Sequence, residues 1–230
     1  MQTPARVVLI TGASRGIGAE VARQLAAPDT HVIVNYREHS SPAQAVADAI
    51  RAAGGSASTL AADVSDDAEA AAMMQQIAAE FGKLDALILN TPGGVEMLTD
   101  PGAAMRLNRD TQRRLAVLAI PLMPAGSRIV FVTSHQAHFY PHKAVPKGYA
   151  GLAASKRAGE TALYAMRSEF DHAGIHFTVV SGDMVDGTII SVAPLPTDEE
   201  FAAAIATAAV TASPSSIVYV GGADYLMTVA

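Results

Sequence analysis

Short apolar runs alternate with longer helical patterns along almost the whole chain. The apolar runs predict strands at residues 6–11, 31–36, 56–62, 84–90, 127–134, 175–182 and 216–222. Alanine-rich helical patterns lie between them, near residues 16–27, 42–53, 66–81, 102–120, 149–172 and 198–209. Several strands are apolar on both faces, as in a parallel sheet that helices cover on both sides. The pattern predicts an α/β fold: a single-domain, Rossmann-type, doubly wound parallel sheet of about seven strands with helices on both faces.

Composition narrows the class of protein further. The 230 residues contain no repeat and no linker, so we expect residues 1–230 to form one domain. The net charge of −6 argues against nonspecific nucleic-acid binding, which needs a basic face. The chain has no cysteine, which excludes disulfides and cysteine–zinc sites and fits a cytoplasmic protein. No signal peptide is visible and no apolar run approaches the ~20 residues of a membrane span, so we expect no membrane partner.

A glycine-rich turn, TGASRGIG (residues 11–18), follows the first predicted strand and opens the first predicted helix. Glycines let the backbone approach a pyrophosphate, and the helix N-terminus supplies free N–H groups and partial positive charge. A tight turn could need these glycines for packing alone, but a strand before and a helix after favour a dinucleotide site. The predicted cofactor-binding residues of the turn are Gly12, Ser14, Arg15, Gly16, Ile17 and Gly18.

The end of the second predicted strand bears on which dinucleotide binds. NAD sites usually place an acidic residue here for the ribose 2′-hydroxyl, whereas an arginine suits a 2′-phosphate. Asn35, Tyr36 and Arg37 occupy this region, and Arg15 of the glycine turn faces it. Two guanidiniums around a phosphate form charge-assisted, forked hydrogen bonds, although both arginines could instead be solvated surface charges. We predict NADP(H) as the cofactor rather than NAD(H).

These motifs resemble the short-chain dehydrogenase/reductase family over nearly the full chain, and in outline its 3-oxoacyl-acyl-carrier-protein reductases. The glycine turn is similar to the family's cofactor turn, and ADV (62–64), LNRDT (107–111), VTS (132–134) and ASK (154–156) match further family elements. The resemblance implies one dinucleotide-binding and catalytic domain that interconverts a carbonyl and an alcohol, assembled as a homodimer or homotetramer. The further cofactor-binding residues that it implies are Asp63, Val64, Asn90, Lys156, Gly182, Met184 and Thr188.

The resemblance also implies a set of four catalytic residues. In the family, a tyrosine protonates the carbonyl, and a lysine four residues later binds the nicotinamide ribose and lowers the pKa of the tyrosine. A serine holds the carbonyl and an asparagine supports a water chain to the lysine. Ser134, Lys156 and Asn108 match these positions, but Tyr149 precedes Lys156 by seven residues and Leu152 stands four residues before the lysine.

The displaced tyrosine leaves three functions open. Leucine carries no proton, and loss of general acid–base assistance typically costs ~10²–10⁴ in rate. Tyr149 shares a helical face with Leu152 and Lys156 if the helix extends back to it, since the drift per heptad is only ~20°; otherwise it is an aromatic packed on the loop. The chain is therefore a carbonyl–alcohol oxidoreductase that uses Tyr149, a non-catalytic NADP(H)-binding sensor or regulatory protein, or an enoyl-type reductase. Longer Tyr–Lys spacings resemble those of enoyl reductases in this superfamily.

The predicted loop at residues 135–148 is rich in histidine and lysine. His135, His138 and His142 have a spacing that metal ligands can show, but no helix is expected to align them and no acidic ligand is near, so we predict no metal site. His135 and His138 are predicted to bind substrate, and a histidine is an alternative proton donor near Ser134. The partner is expected to be a small-molecule substrate, and the basic loop suits an anionic group on it.

Overall fold

A parallel sheet forms the centre of the protein. The computed structural model describes residues 4–90, 100–183, 198–211, 215–222 and 226–227. Within these residues, seven strands form one sheet in the order β3-β2-β1-β4-β5-β6-β7, and every neighbouring pair is parallel. The strands are β1 Arg6–Ile10, β2 Thr30–Tyr36, β3 Ser56–Ala61, β4 Ala86–Leu89, β5 Arg128–Ser134, β6 His176–Gly182 and β7 Ile217–Val220. The predicted doubly wound α/β fold is confirmed.

Helices connect the strands and differ from the predicted ones at three places. They are α1 Gly16–Gln24, α2 Ser40–Ala52, α3 Asp67–Phe81, α4 Pro101–Met105, α5 Gln112–Ala119, α6 His135–His138, α7 Ala150–Ala165, α8 Arg167–Ala173 and α9 Asp198–Val210. A π-helical turn, Arg106–Thr111, joins α4 to α5, and a short 3₁₀ turn, Ile120–Leu122, follows α5. The helix predicted at 149–172 is divided into α7 and α8 at Met166, and α6 lies in the predicted loop.

The central strands β1, β4 and β5 are largely apolar because both faces of the sheet are buried there. Along β1, Val8 and Ile10 join an apolar cluster with α1, α2 and α9. Val7 and Leu9 join a second cluster with α3, α5 and α7 on the other face. Successive side chains of a strand point to opposite faces, so one continuous apolar run supplies both clusters.

The strand order reverses beside β1, and this point positions the functional residues. β1 pairs with β2 on one side and with β4 on the other. In open α/β sheets a crevice forms at such a switch point, outside the carboxyl ends of the strands. The glycine turn follows β1, Asn90 follows β4 and Ser134 ends β5, so all three lie at this edge. None of the helices in the described ranges has the length and apolar character needed to cross a membrane.

Candidate active site

The glycine turn has a shape that only glycine permits. Gly12 and Gly16 have φ angles of 61° and 56°, in the left-handed region that residues with a Cβ rarely adopt. A Cβ on Gly18 would lie 2.6 Å from Nδ2 of Asn90 and 2.8 Å from the carbonyl oxygen of Gly12. The turn therefore brings the start of α1 into direct contact with the ends of β1 and β4.

The N-terminus of α1 lacks a side chain that could accept its first N–H groups. Asp66 and Asp100 cap α3 and α4 with carboxylate oxygens. Arg15 occupies the corresponding position of α1 and makes no side-chain cap bond. Because a guanidinium cannot accept a hydrogen bond, the N–H groups and positive dipole end of α1 suit an anion from outside the chain.

Two buried asparagines hold the turn in place. Asn35 Oδ1 accepts a hydrogen bond from the Gly12 N–H at 3.2 Å, while Nδ2 donates to the carbonyls of Leu60 and Ala62 at 3.2 and 3.1 Å. Asn90 Nδ2 donates to the carbonyls of Thr11 and Gly12 at 3.1 and 3.3 Å. Both amides, predicted to bind the cofactor, have partners within the chain and shape the turn that would hold it.

Arginines lie at the surface beside the turn. Arg15 is exposed, and Arg37, just after β2, is exposed and forms an ion pair of 2.7 Å with Glu38. A pair so open to water contributes little stability, so exchanging Glu38 for another anion costs little. Tyr36, at the end of β2, is only partly buried. These side chains surround the position where a 2′-phosphate is expected.

The remaining predicted cofactor residues follow β3 and β6. Asp63 Oδ1 accepts from the N–H and hydroxyl of Ser65 at 2.8 and 2.6 Å, and Val64 is partly buried beside it. Gly182 ends β6, where a Cβ would lie 2.7 Å from the Phe201 ring, so glycine is needed for packing against α9. Two further predicted cofactor residues, Met184 and Thr188, lie outside the described residues.

Ser134 and Tyr149 come together at the carboxyl end of β5. Ser134 ends the strand and caps α6, its Oγ accepting from the Ala137 N–H at 3.3 Å. Tyr149 precedes α7 with a helical backbone (φ −86°, ψ −15°), and its carbonyl accepts from the Ala153 N–H at 2.9 Å. The Tyr149 hydroxyl lies close enough to the Ser134 side chain for the serine to lower the pKa of the phenol. The predicted proton donor therefore touches the residue predicted to hold the carbonyl.

Burial, rather than a neighbouring charge, determines the protonation of the phenol. Burial raises the pKa of Tyr149, and the Ser134 side chain lowers it by a smaller amount. The Lys156 ammonium is not among the groups that shift the pKa of Tyr149. Tyr149 stays protonated at neutral pH, as a proton donor must.

Lys156 lies on α7. The residue as a whole is partly exposed, but its ammonium group is buried among protein atoms. Burial lowers the pKa of Lys156 from 10.5 to about 8. No carboxylate in the described part of the chain forms an ion pair with it. Its charge therefore changes close to neutral pH.

Asn108 lies buried in the π-helical turn and contacts α7. Its Nδ2 donates to Oγ of Ser155 at 2.9 Å, and Ser155 donates to the Leu152 carbonyl at 2.8 Å. A Cβ on Gly159 would lie only 1.8 Å from the Asn108 carbonyl oxygen, so the two backbones are in direct contact. Asn108 is thus bonded to Ser155, the residue before Lys156. This contact was not predicted from the sequence.

Leu152 fills the place where the family resemblance implies the tyrosine. Its side chain is 5% exposed, and its backbone carbonyl is occupied by Ser155. The side chain packs as an apolar residue and carries no exchangeable proton. Of Leu152 and Tyr149, the residue that precedes α7, only Tyr149 has a side chain that can donate a proton.

The two histidines predicted to bind substrate are buried with partners in the protein. His135 pairs through Nδ1 with the Ser181 hydroxyl at 2.8 Å and through Nε2 with the Gly221 carbonyl at 3.1 Å, and burial lowers its pKa. His138 pairs with Glu160 at 2.9 Å and with the Tyr219 hydroxyl at 3.0 Å. These partners take up both ring nitrogens of each histidine.

The short helix α6 contradicts one expectation about this segment. His135–His138 was expected to be non-helical, and it forms a turn of helix capped by Ser134. Across the described ranges, no three His, Asp or Glu side chains gather as a metal site would require.

Comparison with known proteins relates this arrangement to a family. The family model described as short chain dehydrogenase matches residues 6–193. The chain is 33% identical to 1-cyclohexenylcarbonyl-CoA reductase of Streptomyces collinus over 189 residues, which are 79% of this chain and 65% of the relative. It is 31% identical to a hydroxynaphthalene reductase of Aspergillus fumigatus over 175 residues, 74% of this chain and 62% of the relative. The chain thus spans a little under two thirds of the length of these curated relatives.

Solved structures extend the similarity over almost the whole chain. A short chain dehydrogenase of Burkholderia cenocepacia, in complex with NADP, superposes with a TM-score of 0.80 and 25% identity, covering 96% of this chain and 98% of that one. A metagenomic short-chain oxidoreductase, also in complex with NADP, gives a TM-score of 0.75 and 25% identity, covering 94% and 95%. The parallel sheet and its helices therefore have the architecture of these short-chain dehydrogenases.

Proposed function

The chain belongs to the short-chain dehydrogenase family, and from this premise we propose that it is an NADP(H)-dependent oxidoreductase interconverting a carbonyl and an alcohol. The observation that carries the proposal is the proximity of the Tyr149 hydroxyl to the Ser134 side chain, which is close enough to lower the pKa of the phenol. It supplies a protonated phenol beside a hydroxyl that can orient a carbonyl oxygen, although Leu152 occupies the position four residues before Lys156.

The residues around the glycine turn fit NADP(H). Arg15, the N-cap residue of α1, makes no side-chain cap bond to the first N–H groups of the helix, which suits the pyrophosphate. Arg15 and Arg37 lie exposed where a 2′-phosphate would bind, and a guanidinium pairs with phosphate through two hydrogen bonds. Two structural neighbours of this chain were solved in complex with NADP. The cofactor supplies the hydride; the chain supplies the proton and the orientation.

The roles of the side chains follow from their contacts. Ser134 Oγ, already close to Tyr149, would hold the substrate oxygen next to the phenol. Tyr149 would donate its proton to that oxygen as negative charge develops there, a step of general acid catalysis. Lys156 would bind the cofactor ribose and stabilise the resulting phenolate with its ammonium. Asn108, fixed through Ser155, would keep α7 at a constant distance from the π-helical turn.

A specific observation supports enoyl reduction as a second candidate. Tyr149 and Lys156 are seven residues apart, and the relative from Streptomyces collinus is named for the reduction of 1-cyclohexenylcarbonyl-CoA, a thioester with an adjacent ring alkene. The Tyr149–Ser134 pair would then bind the thioester oxygen and stabilise the enolate that forms there when the cofactor reduces the alkene, and the α-carbon of the enolate would take its proton from solvent. The two candidates share every residue of the site and differ only in the substrate.

We also propose a homodimer or homotetramer. The proposal rests on the resemblance to classical family members, which assemble as dimers or tetramers. Light scattering after gel filtration gives the mass directly; a monomer at micromolar concentration would contradict this part of the proposal.

One experiment separates the functions. Titration of the purified protein with NADPH and NADH by fluorescence should give the tighter binding for NADPH. Nicotinamide absorbance is then followed with ketones, quinones, and matched 3-oxoacyl and enoyl thioesters. Turnover of ketones or 3-oxoacyl thioesters supports the first candidate, and turnover of enoyl thioesters alone supports the second. Tight NADPH binding without turnover of any compound would overturn both and favour a non-catalytic sensor.

A further inference from the structure

A buried hydrogen bond between an imidazole and a carboxylate joins α6 and α7, the two helices beside the catalytic residues. Glu160 on α7 is 0% exposed and His138 on α6 is 9% exposed. His138 Nδ1 lies 2.9 Å from the Glu160 carboxylate, and Arg157 Nη1 donates to the same carboxylate at 2.8 Å. The Tyr219 hydroxyl, from β7, lies 3.0 Å from His138 Nε2. Three elements of the fold therefore meet at one imidazole.

The pair lies one helical turn from the site on both sides. His138 follows Ser134 by four residues, and Glu160 follows Lys156 by four. Residues four apart in a helix lie on the same face, about one turn from each other. The His138–Glu160 hydrogen bond thus connects the two helices close to the place where Ser134 meets Tyr149.

Helix α6 needs such a connection. It has four residues, too few to be stable as an isolated helix. Ser134 caps it, so a shift of α6 would move the Ser134 hydroxyl together with the helix. Small displacements matter at this point, because a misplacement of ~1 Å in a catalytic group can cost ~10²-fold in rate.

A buried imidazole–carboxylate hydrogen bond can fix one geometry. Burial of two polar groups costs desolvation, which offsets most of what their hydrogen bond contributes, so such a contact adds little net stability. It has directional hydrogen bonds, however, and an apolar contact between α6 and α7 would not. The network around Glu160 is also complete, since both His138 and Arg157 bind the carboxylate.

We propose that His138 and Glu160 are positioning residues. They hold α6 against α7 so that the Ser134 hydroxyl stays in contact with Tyr149. The inference rests on the proposed function, because it concerns the geometry of that same site. It gives His138 a role different from contact with the substrate.

The chain contains a matched control for loss of a buried histidine. His31, on β2, is also 9% exposed and also uses both ring nitrogens, with the Ser56 and Ser58 hydroxyls at 2.7 and 2.8 Å. It lies beside β3, at the opposite edge of the sheet from β6 and β7. His31→Leu should lower stability without moving the site.

The test compares His138→Leu with His138→Asn. Leucine removes both hydrogen bonds, whereas the asparagine amide can take the place of Nδ1–H and keep the bond to Glu160. For the substrate found active, His138→Leu should lower kcat about 10- to 100-fold with unchanged NADPH affinity. His138→Asn should recover most of that loss, and His31→Leu should keep the wild-type kcat. If His138→Leu does not fold, Glu160→Gln replaces it, with the same expected loss of kcat.

A second readout needs no turnover. Hydrogen–deuterium exchange of the peptide covering residues 134–140 reports on α6, whose Ala137 N–H is bonded to Ser134. Exchange should be faster in His138→Leu than in wild type or His31→Leu. An inactive wild type would count against the proposed function alone, and exchange would still test the pair. Unchanged kcat and unchanged exchange in His138→Leu, or no recovery by asparagine, would overturn the proposal.

Discussion

At the scale of single residues, burial shifts the two main proton-carrying groups of the site in opposite directions. Burial raises the pKa of Tyr149, which keeps its phenol protonated. Burial lowers the pKa of Lys156 to about 8, which brings loss of its charge near neutral pH. The two shifts have the same cause, since a buried group favours its neutral form. In the site without cofactor, Tyr149 is therefore a neutral proton donor, and the Lys156 ammonium loses its proton more readily than an ordinary lysine.

The depressed pKa of Lys156 predicts a pH-dependent effect on stability. Because the folded pKa is about 8 and the ordinary value is 10.5, the unfolded chain binds more protons between these pH values and stability rises with pH across that window. Lys156→Met should raise the free energy of unfolding at pH 7 by about 1 kcal/mol, less than the shift alone would give because the side chain is partly exposed. The gain should vanish by about pH 10.5. Urea unfolding at both pH values measures it; an equal gain at both would contradict the assigned shift.

The family resemblance, through its motifs, predicted Ser134, Tyr149, Lys156 and Asn108 as the catalytic residues. The partners of His138 could not be found in this way. Glu160 lies 22 positions and Tyr219 81 positions from it, so only the folded chain brings them together. The spacing of four between Ser134 and His138, and between Lys156 and Glu160, was visible in the sequence. This spacing indicates a common helical face only if residues 135–138 form a helix, and a segment of four residues is too short for its helix to be predicted from sequence.

At the scale of elements, α7 and the π-helical turn approach more closely than helices with ordinary side chains can. Gly159 has no Cβ, and this lets the Asn108 carbonyl lie against the backbone of α7. Single π-helical turns inside helices occur frequently at functional sites. Here the turn contains Asn108, whose amide binds Ser155. Close backbone contact and the polar bond together fix α7 beside the site.

Gly159→Ala should therefore be strongly destabilising. The added methyl group would lie 1.8 Å from the Asn108 carbonyl oxygen and 2.9 Å from its carbon, and these are backbone atoms that cannot rotate away. We expect a loss of about 2–3 kcal/mol, at the upper end of the range for overpacked sites.

The same helix offers a control. A Cβ on Gly151 would meet only the Pro101 side chain, at 3.8 Å, an ordinary contact. Gly151→Ala should gain up to about 1 kcal/mol from helix propensity. Guanidinium unfolding midpoints of both variants measure the difference; equal midpoints would show that the two helices are not in tight contact.

Regular elements were predictable to within a few residues, and irregular ones were not. The strands follow from apolar runs that serve both faces of the sheet, as Val7 and Val8 do on β1. The segment predicted as one helix at 102–120 contains the π-helical turn, because apolar spacing does not distinguish a π turn from an α turn. The break at Met166 has no Gly or Pro beside it to mark it.

At the scale of the whole molecule, the sheet order brings residues from distant parts of the chain to one edge. The glycine turn, Asn90 and Ser134 follow three strands that are neighbours in space, β1, β4 and β5. The predicted fold class favours such an arrangement, because strand–helix alternation with right-handed crossovers leaves few topologies. The sequence did not predict which side chains touch there. The contact between Tyr149 and Ser134, on which the proposed chemistry depends, comes from the fold.

That contact is tested most directly by one substitution. Tyr149→Phe removes only the hydroxyl, and kcat at saturating NADPH and substrate should fall at least about 100-fold, with unchanged NADPH affinity. Tyr140→Phe is the matched control, because Tyr140 lies in the same segment and its hydroxyl has no hydrogen bond among the described residues; it should retain the wild-type kcat. A Tyr149→Phe enzyme that turns over as fast as wild type would contradict the account.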